Sequence, residues 1–280
     1  MTGNTGNTGN TGNTGNTGNI GNLGSGILVF ADRVDLPFVA TSGLAQQQID
    51  NAVFPESLWR QDLLAWLTLA DFATAGWAGT IVVPPPAAGA PAGEIADLVV
   101  AAEDERADAL GEILMQDDGF TAYFMGLLGI TVRSHPATRR LLHIAELVGL
   151  MTSMHFKREF NRTRPSQYCP ALLPPVPVPG HASYPSGHAT QAHLMAACMK
   201  AVFNVDPPRD QWAALLDALA TRIARNREIA GLHFESDSTA GKNLALAAFG
   251  ILNDPNRMPH PVGEPDRFAE TLAEARGEWP

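Results

Sequence analysis

The residues that could do chemistry fall in three short stretches of the chain. Lys157 and Arg164-Pro165 belong to the first. Pro185-Ser186-Gly187-His188 is the second, and Asn226-Arg227 with His233 and Asp237 is the third. In order they read Lys-x6-Arg-Pro, Pro-Ser-Gly-His and Arg-x5-His-x3-Asp. Three cations, Lys157, Arg164 and Arg227, are what a dense oxyanion needs, since each can make charge-assisted bonds to a different oxygen. Ser186, the Gly187 N–H and Asn226 would complete the cage. His233 has Asp237 four residues later. A carboxylate that accepts from one imidazole nitrogen orients the ring and leaves the other nitrogen free. His188 is then a second imidazole, placed for proton transfer on the opposite side of the anion.

Helices must position these groups. Pro185 favours an extended or turn conformation before it, Ser186 is a good N-cap, and Gly187 lets the backbone pass close to a ligand. An apolar stretch follows to Val205, so the second motif reads as a helix N-terminus whose N–H groups, hydroxyl and imidazole face one point. Taken alone, the tetrapeptide describes only a capped helix that carries a His. The first motif closes a long helix expected from Ala137 to about Asn161. Lys157 and Arg164 are seven residues apart, two helical turns, which places them on one face. Pro165 should end the helix at Arg164 and free its planar fork to swing toward an anion. Lys157, Arg158, Arg162 and Arg164 form a local cationic focus, which a helix C-terminus would favour on its own. The third motif ends a helix expected from Asp210 to about Ala230. Asp237 or Ser238 then caps a last apolar helix through Leu252. The proline-rich run from Ser166 to Gly180 suits a loop that walls a site.

The rest of the chain sets the frame. Its 280 residues are 45% hydrophobic and 7% aromatic, rich in Ala and Leu, which suits one all-helical globule from about residue 27 to 280. Residues 2–19 are six copies of Thr-Gly-Asn, and the rhythm continues to residue 26. With no apolar face to bury, this stretch reads as a flexible tail. Ile27 to Gly43 reads as an irregular lead-in. Helical periodicity runs from Pro55 to Trp77, with Trp59, Trp66 and Trp77 expected in the core. Val82 to Gly93 is a breaker-rich loop, and one charged helix is expected from Glu94 to about Met115 with a solvated carboxylate face. Further helices are expected over Tyr123–Thr131 and Pro265–Arg276. The net charge of -10 disfavours nucleic acid and anionic membrane surfaces. Cys169 and Cys198 read as a loop cysteine and a buried helical one rather than a disulfide framework. No secretory signal pattern opens the chain and no uninterrupted apolar run is long enough for a membrane span, which points to a cytoplasmic protein unless it leaves by a non-classical route.

The three motifs together resemble the signature of the type 2 phosphatidic acid phosphatase superfamily. It joins the vanadium-dependent haloperoxidases to the class A acid phosphatases and the membrane lipid phosphatases. The resemblance covers Lys157 to Asp237. Asn226 stands where that signature usually has Ser. The resemblance implies an all-α helical bundle, a homo-oligomer, and one of two chemistries. In the first, vanadate is the cofactor, with phosphate able to occupy the same site. His233 would be its metal ligand, His188 the acid–base for hydrogen peroxide, and Lys157 the group that polarises bound peroxide toward a halide, with a small organic acceptor as final substrate. In the second, His233 attacks a phosphate ester, giving a phosphohistidine, and His188 protonates the leaving group. His181, seven residues before His188, resembles a second His of the vanadium bromoperoxidases. It favours the haloperoxidase reading, with bromide as the halide.

Overall fold

The computed structural model describes residues 59–89, 91–131, 133–204, 210–260 and 266–280, all within the unit Ser57–Pro280. The expected tail over 1–26 and its lead-in lie outside the described residues. Among the described residues the elements are helices and no strand: α1 Gln61–Thr74, α2 Ala92–Asp104, α3 Arg106–Gly119, α4 Thr121–Leu128, α5 Pro136–Phe160, the short α6 Pro165–Tyr168, α7 Gly187–Phe203, α8 Asp210–Ile229, α9 Glu235–Leu252 and α10 Arg267–Gly277. Single 3-10 turns lie at Trp77–Gly79 and Pro170–Leu172. The expected all-α helical bundle is what the chain forms. None of these helices is long and apolar enough to cross a membrane.

Helix α7 is the axis of the bundle. Its sequence, Gly-His-Ala-Thr-Gln-Ala-His-Leu-Met-Ala-Ala-Cys-Met-Lys-Ala-Val-Phe, is apolar around nearly the whole circumference, and a helix of that kind belongs in the interior. Leu194, Met195, Cys198, Met199 and Val202 are all buried, and α5, α8 and α9 pack around them. Two glycines allow those neighbours to come close. A Cβ on Gly149 of α5 would lie 2.9 Å from the Gln191 Cα. One on Gly241 of α9 would lie 2.6 Å from the Ser186 carbonyl oxygen and 3.0 Å from the Ala189 Cβ. Gly241 therefore fixes how near α9 lies to the start of α7.

Helix ends differ from the sequence reading where single residues intervene. Helix α5 begins at Pro136, whose missing N–H costs nothing at that position. It stops at Phe160 because Asn161 adopts the left-handed conformation (φ 48°), and its N–H caps the Lys157 carbonyl at 2.9 Å. Arg164 is extended (φ -79°, ψ 155°), so Lys157 and Arg164 do not share a helical face as their spacing suggested. The chain turns between them. The single charged helix expected over Glu94–Met115 is two, α2 and α3, broken at Glu105. Trp77 joins the core, but Trp59 and Trp66 are 38% and 42% exposed, against expectation. In α9, Asp237 is not the cap but the third residue, and its carboxylate accepts the Phe234 N–H at 3.0 Å. Cys169 and Cys198 are both free thiols.

Candidate active site

The segment from His181 to Gly187, between α6 and α7, is the hub on which two of the motifs meet. Its carbonyls receive the first motif. Lys157 donates to the Ala182 and Ser183 carbonyls, both at 2.8 Å. Arg164 donates through Nε to the His181 carbonyl and through Nη1 to the Leu232 carbonyl, each at 2.9 Å. Both cations are buried. Ser183 contributes its hydroxyl to the third motif, donating to Asp237 Oδ2 and lying 3.4 Å from His233 Nδ1. The Ser186 N–H donates to the Asp237 carbonyl at 2.9 Å, which ties the start of α7 to the first turn of α9.

Ser186 is the N-cap of α7, as its type predicts, accepting from the Ala189 N–H at 3.4 Å. Gly187 opens the helix against the first motif. A Cβ there would stand 3.9 Å from the Lys157 Cε and 3.6 Å from the Ser153 Oγ.

His233 is buried, with Nδ1 3.2 Å from Asp237 Oδ2. Asp237 therefore holds the tautomer with hydrogen on Nδ1, and Nε2 makes no hydrogen bond among the described residues. Burial, assisted by the charges of Lys157 and Arg164, pushes the imidazole well below its usual range, against the opposing pull of Asp237. Burial would raise the Asp237 carboxyl, but hydrogen bonding to His233 and the Arg162 charge hold it down at about 2. The ring is thus a neutral, oriented base. Burial, and then the neighbouring Arg164, lowers Lys157 to about 7. Burial lowers Arg164 to about 10.

His188 and Arg227 meet the last two turns of α3, a contact no local pattern announces. His188 Nε2 lies 3.1 Å from the Gln116 carbonyl and 3.3 Å from that of Asp117, and its ring tilts against Phe120 at 5.0 Å. Burial and the Arg227 charge bring it down to about 3. Arg227 donates through Nη1 to Asp117 Oδ1 at 3.0 Å and through Nη2 to the Ile113 carbonyl. Its Nε is buried with no partner.

Asn226 is placed elsewhere than expected. Its amide nitrogen donates to Glu112 Oε2 at 2.9 Å and to Gln116 Oε1 at 2.8 Å, so both hydrogens are committed to α3 and none is left for an anion. His181 is at the edge of the cluster. Its Nδ1 is 3.1 Å from Arg164 Nη2 and 3.2 Å from the Ala182 carbonyl.

Sequence reasoning passed over Ser183, Gln116, Asp117 and Glu94. Glu94, expected on a solvated face, accepts from the Ser236 N–H at 2.8 Å and from Arg162 Nη2 at 3.1 Å. The one available signal was Arg162, a cation in a row of cations whose partner had to be acidic.

No family model matches the chain, and no curated protein matches it. Among solved structures the chain is similar to a transmembrane PAP2-type phosphatidylglycerolphosphate phosphatase from Bacillus subtilis, at 15% identity and a TM-score of 0.45, over 69% of this chain and 94% of that one.

Proposed function

We propose that the protein is an oxyanion-handling enzyme of the phosphatase-like kind and hydrolyses phosphate monoesters through a phosphohistidine at His233. The observation that carries this reading is the arrangement of His233. Its Nδ1 is bonded to Asp237, its Nε2 makes no hydrogen bond among the described residues, and the charges of buried Lys157 and Arg164 act on the ring. A neutral imidazole so held is a nucleophile, and a phosphoryl group needs chiefly positioning and charge stabilisation.

In this mechanism Lys157, Arg164 and Arg227 receive the phosphoryl oxygens. Lys157 keeps a third N–H uncommitted, and Arg227 keeps Nε unpartnered. An anion satisfies the buried donors that the protein itself leaves over. The N-terminus of α7, with Ser186 and the Gly187 N–H, faces the same charge. His233 Nε2 forms the bond to phosphorus as the ester oxygen leaves. His188 supplies the proton to that oxygen, since a bound dianion raises the imidazole from its low resting value. Water then cleaves the phosphoramidate with the roles reversed.

A second reading is favoured by His181, which lies against Arg164 and so at the rim of the cage. Vanadate is isosteric with phosphate, and the same buried donors fit it. Lys157, Arg164 and Arg227 would hold it and His233 Nε2 would ligate it, and when bound it supplies activation of hydrogen peroxide toward bromide. Phosphate would compete for the same donors.

The two readings separate in a paired assay on one phosphate-stripped preparation. One half receives a chromogenic phosphomonoester; the other receives orthovanadate, hydrogen peroxide, bromide and a halogen acceptor. Ester hydrolysis that vanadate inhibits, without bromination, is the expected result. Vanadate-dependent bromination with no ester turnover would replace it with the second reading.

A further inference from the structure

Arg162 takes no part in the cage, yet it is buried beside it. Its Nη1 donates to Asp237 Oδ1 at 2.6 Å and to Ser236 Oγ at 2.7 Å. Its Nη2 donates to Glu94 Oε2 at 3.1 Å. The guanidinium carbon stands 4.2 Å from the centre of the Phe234 ring and 5.9 Å from that of Tyr184. The Phe234 ring thus lies close against the guanidinium with Tyr184 further off, and three oxygens take its N–H groups. Glu94 is fastened in turn by the Ser236 N–H and hydroxyl, at 2.8 and 2.9 Å. Charges alternate along the row Glu94, Arg162, Asp237, and the row ends on the His233 ring.

Asp237 divides its two oxygens. Oδ2 faces His233 Nδ1, the Ser183 hydroxyl and the Phe234 N–H, while Oδ1 takes Arg162. Without Arg162 the carboxylate has only its inner oxygen pinned and can rotate about its own bond. The imidazole would then lose the fixed acceptor that selects its tautomer. Arg164, by contrast, points to the 181–182 segment and to Leu232.

We propose that Arg162, braced by Glu94 of α2, is a positioning residue that locks the Asp237 carboxylate and through it the tautomer and aim of the His233 imidazole. The inference rests on the phosphohistidine reading for its effect on turnover but not for its effect on the ring. A split between turnover and anion binding tests it. The variants are Arg162→Met, Arg162→Lys and Glu94→Gln, with Arg164→Met as the control within the cage. Turnover of the chromogenic ester, inorganic phosphate binding by calorimetry, and the His233 ring 15N signals at one fixed pH are the readouts.

Arg162→Met should lower kcat by about 10–100-fold with an unchanged phosphate Kd and a changed ring 15N pattern. Arg162→Lys should recover part of that loss, and Glu94→Gln should show the same split several-fold weaker. Arg164→Met should weaken phosphate binding instead. If Arg162→Met fails to fold, Glu94→Gln decides, since its amide oxygen can still accept from Ser236. A folded variant with wild-type kcat and an unchanged ring pattern overturns the proposal. So does a phosphate Kd that weakens alongside that of Arg164→Met, which would make Arg162 an anion ligand. Should the wild-type protein turn over no ester, the functional reading fails, and the 15N pattern alone still decides whether Arg162 holds the ring.

Discussion

Lys157 is buried at 2% exposure. Its ammonium, ordinarily near 10.5, is held at about 7 by burial and then by Arg164, with Asp237 pulling the other way. Charge on this residue is therefore lost as pH rises through about 7. Sulfate stays dianionic there, so sulfate affinity should fall as pH rises through about 7, and Lys157→Met should bind it more weakly and without that slope; calorimetry across pH 5.5–8.5 measures both. The same shift has a consequence for stability. Between about 7 and 10.5 the unfolded chain holds a proton on Lys157 that the folded chain has lost, so this residue makes stability rise with pH across that window. Asp237→Asn leaves Arg162 with Glu94 as its one remaining carboxylate, so the cost should stay below that of a buried charge left with no partner, about 3–5 kcal/mol. Denaturant unfolding should show that cost, together with loss of ester turnover. At this scale the sequence was legible in residue type but not in partner. His233 and Asp237 sit at helical i,i+4 spacing and do touch, whereas Asn226 donates to α3, because Glu112 and Gln116 lie more than a hundred residues earlier and no local pattern links them.

Elements fix where those residues point, and one decisive approach depends on the side chain that Gly241 lacks. Gly241 leaves room for the Ser186 carbonyl, so α9 can lie close enough for the Ser186 N–H to reach the Asp237 carbonyl. Gly241→Ala would place a methyl group 2.6 Å from that oxygen. It should destabilise the fold by about 1–3 kcal/mol and weaken sulfate binding at the α7 N-terminus, although the residue touches no anion. Thermal unfolding and calorimetry on the one variant check both effects. Helices with strong end signals were readable in advance: Ser186 before α7, Pro136 at the head of α5, and the apolar run that makes α7 central. Asn161 was not, because a left-handed residue four positions before Pro165 ends α5 earlier than the proline itself would. The break at Glu105 was hidden for a similar reason: the charged composition continues across it, and only Arg106, donating to the Ile229 and Leu172 carbonyls, redirects the chain.

Across the whole bundle, the site lies where α5, α7, α8 and α9 present their ends, and the hub from His181 to Gly187 joins them. A ligand held by residues from several helices binds the folded state alone and should stabilise it by about 2.7 kcal/mol at a hundredfold excess over Kd. Sulfate should thus raise Tm by several degrees, and Arg227→Met should abolish most of that rise while leaving the ligand-free protein folded. The all-helical class was readable from the Ala- and Leu-rich, aromatic-poor composition and from the helix-bundle resemblance of the three motifs. The enclosure of His188 and Arg227 by the end of α3 was not, since it depends on how two distant helices cross. The most direct test of the phosphohistidine reading is to quench the phosphate-stripped protein during turnover of a 32P-labelled monoester and map the label by mass spectrometry under alkaline conditions. A phosphoramidate on His233, absent from His233→Ala, is the expected result. Sustained hydrolysis with no label on His233, or with the label on another residue, would contradict it.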